Sequence, residues 1–370
     1  RREISKERLG LLSAMGLLFI KILCVGALAN DIFVHAFTLE KIVKSQVVTR
    51  MSSGVTTADD FPLTPRRNGQ GWWPKKPLVE TEDALDLFYV EIGAEHHSGG
   101  ESSFSKPPII VIHGLLGQSK NFGTWAKDLK EAHKDRRVFL VDLRNHGNSP
   151  HHPAMGYHLM AADLLRLIER LGCGSAILVG HSMGGKVAMA TSLLAPSKVH
   201  ALCVIDIAPV RYTDADEDWR LTEEIVKQLA NLPLSSLKTK RDADRHLSTE
   251  MKDPMMRGFA LMNVDEVRDS EAGGMSWRIN LDAIVNELST LAGADVGGIP
   301  NVRPFSRPTL FIKGSSSQFF REEKHMGRTA VLFPTAGLES IEGANHWIHV
   351  TKPTELHEVV SGFLRSTGVK

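Results

Sequence analysis

The stretch that most constrains the fold of this chain is I-L-V-G-H-S-M-G-G-K-V-A-M-A, residues 177–190. The apolar, partly β-branched run before its first glycine predicts a buried strand, and apolar residues from Val187 onward recur at helical spacing. The chain must therefore turn sharply from strand to helix around Ser182, and only small neighbours such as Gly180 and Gly184 tolerate such a turn. The turn presents Ser182 beside a helix N-terminus, which favours a nucleophilic serine over one that only caps the helix.

Strands and helices alternate on either side of this turn. Strands are predicted at 85–92, 108–112, 137–141, 175–179, 199–205, 308–313 and 338–341, and helices at 121–133, 157–171 and 353–364. This alternation predicts an α/β fold, with a mostly parallel sheet that is covered by helices on both faces. Ligand sites of such sheets lie beyond the carboxyl ends of the strands, where Ser182 is expected to lie. From about 211 to 298 the pattern is helical without a convincing strand, which predicts an inserted helical lid.

An activated serine needs a general base, a group that orients this base, and hydrogen-bond donors for an oxyanion. His346 lies in the small-residue loop G-A-N-H-W-I-H after the last strand and is the predicted base, whereas His181 and His349 are given structural roles. The expected oxyanion donors are two backbone N–H groups. One belongs to Met183, directly after the nucleophile, and the other to Leu115, in the loop H-G-L-L-G after an earlier strand.

The order of these motifs, H-G, G-H-S-M-G-G and G-A-N-H, resembles the α/β-hydrolase fold family over about residues 78–370. Four separated motifs resemble one subgroup more narrowly: D-L-R-N-H-G-N-S-P-H from Asp142, V-I-D-I-A-P-V from Val204, W-R-I-N-L-D-A-I from Trp277 and G-A-N-H-W-I-H from Gly343. That subgroup contains the mitochondrial α/β-hydrolase-domain esterase of animals and small bacterial acyl-CoA esterases. The resemblance implies a serine hydrolase that acts on acyl esters or thioesters without a metal or an organic cofactor.

The acid of the triad is where the chain departs from the family pattern. The acid usually follows the strand at 310–313, but the loop here reads G-S-S-S-Q-F-F and holds no carboxylate. Asp206 ends the strand that comes after the nucleophile and its helix, so it is predicted to lie level with Ser182 on the neighbouring strand. Asp282, at the start of a helix in the lid, is the alternative acid, although capping of that helix also explains an aspartate there.

These features predict a serine esterase or thioesterase that acts through an acyl-enzyme on Ser182. A catalytically weak receptor or scaffold with the α/β-hydrolase fold is the alternative, and dehalogenase or epoxide hydrolase chemistry is disfavoured because it needs a carboxylate nucleophile. The expected partner is a small-molecule acyl ester or thioester. The lid contains an apolar cluster of Met255, Met256, Phe259, Leu261 and Met262. Core packing is the default interpretation of this cluster, and an adaptable wall for the acyl chain is the second.

The charge balance limits the partners of the chain. Its 370 residues carry a formal net charge of +1, which does not suggest nucleic-acid binding. No firm membrane partner is expected, and the oligomeric state is not predicted. The three cysteines are interpreted as free thiols.

The N-terminal part differs from the rest, and residues 1–77 are interpreted as a targeting-like segment and linker. A basic start, an apolar stretch at 9–29 and the small residues A-L-A resemble a cleaved targeting segment. A membrane anchor is the alternative, but Lys21 near the middle of the span costs it roughly 3 kcal/mol. We expect an organellar location, mitochondrial by the family resemblance, with a plastid or the secretory pathway as alternatives. The predicted domains are 78–210 for the first part of the core, 211–300 for the helical lid and 301–370 for the second part of the core.

Overall fold

The computed structural model describes residues 83–93, 106–266, 274–300 and 302–367, which all belong to one compact unit, Ala58–Lys370. The segment 1–77, predicted to be targeting-like, lies outside the described residues. No helix in the described part of the chain combines the length and the apolar character that a membrane span requires. The predicted domain boundaries at residues 77, 210 and 300 stay predictions.

Nine strands run through the described residues. They are β1 (Tyr89–Glu91), β2 (Ile109–Ile112), β3 (Val138–Val141), β4 (Ala176–His181), β5 (Val199–Ile205), β6 (Val264–Glu266), β7 (Met275–Trp277), β8 (Thr309–Gly314) and β9 (Ala336–Ile341). Seven of them form one sheet in the order β1-β3-β2-β4-β5-β8-β9, in which β1 is antiparallel and the others are parallel. The predicted α/β fold with a mostly parallel sheet is confirmed. The first strand is shorter than the predicted 85–92, because this edge strand pairs with β3 over three residues only.

The described residues contain the helices α1 (Gly123–Ala132), α2 (Tyr157–Arg170), α3 (Met183–Leu194), α4 (Glu217–Ala230), α5 (Lys240–Leu247), α6 (Pro254–Leu261), α7 (Leu281–Gly293), α8 (Glu322–Leu332), α9 (Ile348–Thr351) and α10 (Pro353–Ser366). Of these, α1 and α10 cover one face of the sheet, and α2 and α3 cover the other. Alternate side chains of each strand enter two separate cores. In β2, Ile109 and Val111 pack in the core formed with α1 and α10, whereas Ile110 and Ile112 pack in the core formed with α2 and α3. Because both faces of the parallel strands are buried, β2, β3 and most of β4 and β5 are continuously apolar.

Between β5 and β8 the chain leaves the sheet and forms an insertion of α4 to α7, which we call the lid. It also contains a two-stranded antiparallel sheet of β6 and β7. The expectation that the segment 211–298 holds no strand is therefore wrong at this point. Each of these strands has three residues, too few for a period-two pattern to stand out in the sequence. Side chains of α4 and α6 reach the cavity above the strand ends, so the lid covers the carboxyl edge of the sheet.

The buried Lys186 forms hydrogen bonds with both chain segments that connect the lid to the sheet. Lys186 Nζ donates hydrogen bonds to the carbonyl oxygens of Val210 at 2.7 Å and Ala294 at 3.1 Å, where the chain enters and leaves the lid. Its Nζ also lies 4.7 Å from the ring centroid of Tyr212, a favourable cation–π distance. Burial lowers the pKa of Lys186 to about 7, because desolvation disfavours the charged form. The lid is thus anchored one helical turn after Ser182.

Candidate active site

Ser182 lies at the turn between β4 and α3, in a backbone conformation that residues with side chains rarely adopt. Its φ is 52° and its ψ is −120°. A Cβ atom at Gly180 would lie 2.4 Å from the carbonyl oxygen of Gly184, and one at Gly184 would lie 2.4 Å from the carbonyl oxygen of His113. Only glycine fits at these two positions, so the close packing of β4, α3 and the loop after β2 imposes the turn and leaves Ser182 at the cavity surface.

His346 and Asp206 meet Ser182 beyond the carboxyl ends of three strands. His346, in the loop after β9, places Nε2 3.0 Å from Ser182 Oγ and Nδ1 2.8 Å from Asp206 Oδ2. Asp206 directly follows β5, is fully buried and has a φ of 53°. The structure therefore brings together the three residues that were predicted as nucleophile, base and acid.

Two further donors hold the carboxylate of Asp206. The backbone N–H of Gly314 donates to Oδ1 at 2.9 Å, and the hydroxyl of Ser317 donates to Oδ2 at 2.5 Å. Gly314 is the last residue of β8 and Ser317 lies in the loop that follows, the place of the acid in the family pattern, where this chain has no carboxylate. This loop orients the carboxylate of the neighbouring strand instead of supplying one.

Asp282, the alternative acid, has an exposed side chain in the first turn of α7. The capping role considered for it belongs to Asn280, whose side chain accepts a hydrogen bond from the Ala283 N–H at 3.2 Å. Among the hydrogen bonds of the described residues, the carboxylate that contacts His346 is that of Asp206. The structure therefore joins Asp206, and not Asp282, to the imidazole.

The loop after β2 carries Leu115, one of the two predicted oxyanion donors. His113 Nδ1 lies 2.7 Å from the carbonyl oxygen of Gly114, and a backbone N–H after β3 donates to Nε2 of the same ring at 3.0 Å. These contacts place the proton on Nδ1 and orient the peptide group whose N–H belongs to Leu115. Leu115, Ser182 and Met183 line the same small cavity of about 30 Å³, so both predicted donor residues lie beside the serine.

The fold and this arrangement of side chains match a known family. A sequence profile described as the alpha/beta hydrolase fold matches residues 107–353. The chain belongs to the α/β-hydrolase fold family. A solved structure described as a marine microorganism esterase resembles this α/β-hydrolase with a TM-score of 0.68 and 32% sequence identity, and the match covers 76% of this chain and 100% of that chain.

Curated relatives of this α/β-hydrolase are described as lipases and esterases. The sn-1-specific diacylglycerol lipase ABHD11 of Mus musculus is 37% identical over 261 residues, which are 70% of this chain and 81% of the mouse protein. Esterase YbfF of Escherichia coli (strain K12) is 30% identical over 264 residues, which are 71% of this chain and 95% of the bacterial protein. The family resemblance is confirmed, and the protein is a serine hydrolase of the esterase and lipase kind.

A cavity of about 340 Å³ opens above Ser182 in this α/β-hydrolase. Side chains of the lid form part of its wall, namely Asp218, Leu221, Thr222, Ile225, Asp253, Met256 and Phe259. Of the predicted apolar wall, Met256 and Phe259 line the cavity, whereas Met255 and Met262 are exposed and Leu261 packs in the core. Leu261 has the core position that the default interpretation gives it, whereas the acyl-wall expectation was wrong for Met255, which lies on the solvent side of the first turn of α6, and for Met262, which follows the end of that helix.

Four further histidines lie around the site of this α/β-hydrolase: His113, His146, His181 and His349. Burial lowers the pKa of each, to about 3 for His146 and His349, so they are uncharged at neutral pH. His181 Nε2 lies 2.8 Å from the carbonyl oxygen of His346, and the His349 ring stacks on Phe122 with centroids 4.3 Å apart. These rings pack and form hydrogen bonds, and the described residues include no group of three or more His, Cys, Asp or Glu that could hold a metal ion.

Sequence reasoning missed several residues of the site in this α/β-hydrolase. The serine run 315–317 contains no carboxylate, and nothing in its sequence distinguishes Ser317 as the partner of Asp206. The helical pattern over 211–298 predicts helices but not that Leu221, Thr222 and Ile225 face the cavity. The sequence therefore indicates the loop that holds Ser317 and the helices of the lid. Only tertiary contacts show which residues of this loop and of these helices reach the site.

Proposed function

We propose that the protein hydrolyses carboxylic esters of apolar acyl groups through an acyl-enzyme on Ser182. The observation that carries this proposal is the series of contacts from Ser182 Oγ through both imidazole nitrogens of His346 to the buried carboxylate of Asp206. This series lies against a cavity of about 340 Å³ whose lining is mostly apolar. Such an arrangement activates a serine for attack on an acyl carbon.

In the proposed mechanism, Ser182 Oγ attacks the acyl carbon while His346 Nε2 takes the hydroxyl proton. The carboxylate of Asp206 stabilises the imidazolium that forms. The oxyanion of the tetrahedral intermediate accepts hydrogen bonds from the N–H groups of Leu115 and Met183, and loss of one such donor typically costs about 3 to 4 kcal/mol. His346 then protonates the leaving oxygen, and a water molecule activated by the same imidazole hydrolyses the acyl-enzyme.

The relatives narrow the class of substrate that we propose. The mouse relative is described as a diacylglycerol lipase and the bacterial relative as an esterase. A diacylglycerol-like ester joins a small polar end to long apolar chains, and the apolar side chains of the lid offer such a chain a desolvated surface. A thioester of the same acid forms an analogous tetrahedral intermediate, expels a thiol instead of an alcohol and leaves the same acyl-enzyme, so acyl-CoA thioesters belong in the same assay.

Acyl-chain selectivity is expected to depend on Met256. Met256→Trp fills part of the cavity and should lower kcat/KM for esters of long acyl chains at least about 10-fold relative to acetyl esters, since one methylene in an apolar pocket is worth 10-fold or more. Met255→Trp is the matched control, because its side chain on the same helix is exposed and does not line the cavity. The measurement is kcat/KM over a series of p-nitrophenyl esters and acyl-CoA thioesters of increasing chain length. A wild type indifferent to chain length, or equal effects of both variants, would contradict the proposed acyl pocket.

We further propose a mitochondrial location, supported by the basic and apolar composition of residues 1–29 and by the family resemblance. A fusion of residues 1–370 to a C-terminal fluorescent protein is expected to colocalise with a mitochondrial dye, and the same fusion without residues 1–77 is expected to stay diffuse. Fluorescence microscopy of both fusions measures this. A diffuse cytosolic signal from the fusion that contains residues 1–77 would refute a targeting role, and a plastid or secretory pattern would select one of the alternatives.

A further inference from the structure

The lid contacts the loop Gly114–Gly117 through the buried side chain of Asn263, which lies between α6 and β6. The Nδ2 atom of Asn263 donates a hydrogen bond of 2.7 Å to the carbonyl oxygen of Leu116. Its Oδ1 has no hydrogen-bond partner among the described residues, so the amide nitrogen makes the polar contact of this side chain. Asn263 is fully buried, and the hydrogen bond of its side chain goes to the loop that carries Leu115 and Leu116. This contact indicates that Asn263 has a role in fixing that loop.

Leu116 needs such support, because it adopts a conformation that leucine rarely takes. Its φ is 60°, and a residue held there persists only where surrounding contacts impose the conformation. From the core side, the Leu116 N–H donates to His146 Nε2 at 3.1 Å, and His146 Nδ1 in turn lies 3.0 Å from the carbonyl oxygen of Arg144. The peptide groups on the two sides of Leu116 are therefore fixed separately, one by the core and one by the lid.

Arg278 and Asn280 of the lid also form hydrogen bonds beside this loop. Within the lid, the Arg278 backbone N–H donates to the Asn263 carbonyl oxygen at 2.7 Å, and Arg278 Nη1 donates to Gln118 Oε1 outside the lid at 3.1 Å. The Asn280 N–H donates to the carbonyl oxygen of Asn145 at 3.0 Å. The two sequence motifs that contain these residues, D-L-R-N-H-G-N-S-P-H and W-R-I-N-L-D-A-I, have no step in the proposed mechanism, and the structure brings them together at the loop that carries Leu115.

We infer that Asn263 is a positioning residue that couples docking of the lid to the geometry of the oxyanion hole. This inference rests on the proposed function, because the oxyanion donor that it supports is the N–H of Leu115. Without the amide, the buried Leu116 carbonyl loses its partner and the strained residue loses one of the contacts that impose its conformation. Misplacement of a reacting or stabilising group by about 1 Å can lower a rate by about 100-fold. The Asn263 contact is therefore expected to affect turnover more than substrate binding.

The test compares Asn263→Ala and the shape-preserving Asn263→Leu with Asn231→Ala, a matched control at an exposed lid position at the end of α4. Both Asn263 variants are expected to lower kcat for a p-nitrophenyl ester by about 10-fold to 100-fold with KM within about 3-fold. A trifluoromethyl ketone, whose adduct with Ser182 carries an oxyanion, is expected to bind more weakly by a similar factor. A long-chain alcohol, which occupies the cavity without an oxyanion, is expected to bind unchanged. The control should match wild type in all three measurements.

Each outcome bears on the inference. A wild-type kcat in a folded Asn263 variant would overturn the inference. Equally weakened binding of the ketone and of the alcohol would also overturn it, because the substitution would then disturb the whole cavity and not the oxyanion hole alone. If Asn263→Ala does not fold, the comparison is made with Asn263→Leu, which retains the bulk of the side chain. Failure of the proposed function is distinguishable, since wild-type protein would then neither hydrolyse the ester nor form the ketone adduct.

Discussion

Replacement of Ser182 by alanine is expected to lower kcat for a p-nitrophenyl ester by about 10⁶-fold, the size of the effect when a serine protease loses its nucleophile. The substitution removes the oxygen that lies 3.0 Å from His346 Nε2, so no acyl-enzyme can form. Alanine introduces no additional atom at the strained turn, and the melting temperature is therefore expected to stay near that of wild type. Steady-state kinetics and a thermal melt measure the two quantities.

Ser316→Ala is the matched control for this prediction. Ser316 also lines the cavity but has an exposed side chain in the loop after β8, and its variant is expected to keep wild-type activity. A fluorophosphonate probe should label the wild type and Ser316→Ala, but not Ser182→Ala. Retention of most activity in Ser182→Ala would remove the serine from the mechanism. A folded wild type that neither hydrolyses esters nor takes the label would favour the alternative of a receptor or scaffold.

Asp206→Asn is expected to lower kcat by about 10⁴-fold, whereas Asp282→Asn should stay near the wild-type rate. The Asp206 carboxylate accepts three hydrogen bonds, from Gly314 N–H at Oδ1 and from Ser317 and His346 at Oδ2. An amide nitrogen at the Oδ1 position would oppose the Gly314 N–H, so the asparagine turns its NH₂ group toward His346. That group donates to Nδ1 and selects the imidazole tautomer that carries its proton on Nε2, which cannot take the proton of Ser182.

The two asparagine variants are assayed side by side, with the melting temperature as the control for folding. Asp282 is an exposed residue of the lid, so its substitution tests whether the loss of a surface charge in the lid changes the rate. Asp206 is fully buried, and a fall in stability is separated from a loss of chemistry by measuring rates well below the melting transition. If Asp206→Asn turns over near the wild-type rate while Asp282→Asn loses activity without unfolding, the acid belongs to the lid and our assignment of Asp206 is wrong.

The sequence by itself determined the features that depend on neighbours in the chain. The glycines around Ser182 predict the sharp turn because a Cβ at Gly180 or Gly184 would meet backbone atoms a few residues away or on the adjacent loop. The alternation of strands and helices predicts a parallel sheet, and a parallel sheet places the residues that follow its strands at one edge. This is why the sequence predicts His346 and Asp206 as partners of Ser182, with Asp282 as the alternative acid.

Only the tertiary structure decided which side chains complete the site, because these contacts join residues far apart in the sequence. The hydroxyl of Ser317 reaches Asp206 across 111 positions, and the amide of Asn263 reaches Leu116 across 147. No local pattern distinguishes these two residues from other serines and asparagines in loops. The same holds for the lid, where the sequence predicts an apolar cluster but not that Met256 faces the cavity while Met255 faces solvent. Which face of a helix is buried depends on the surface that it packs against, and that surface forms only when the chain has folded.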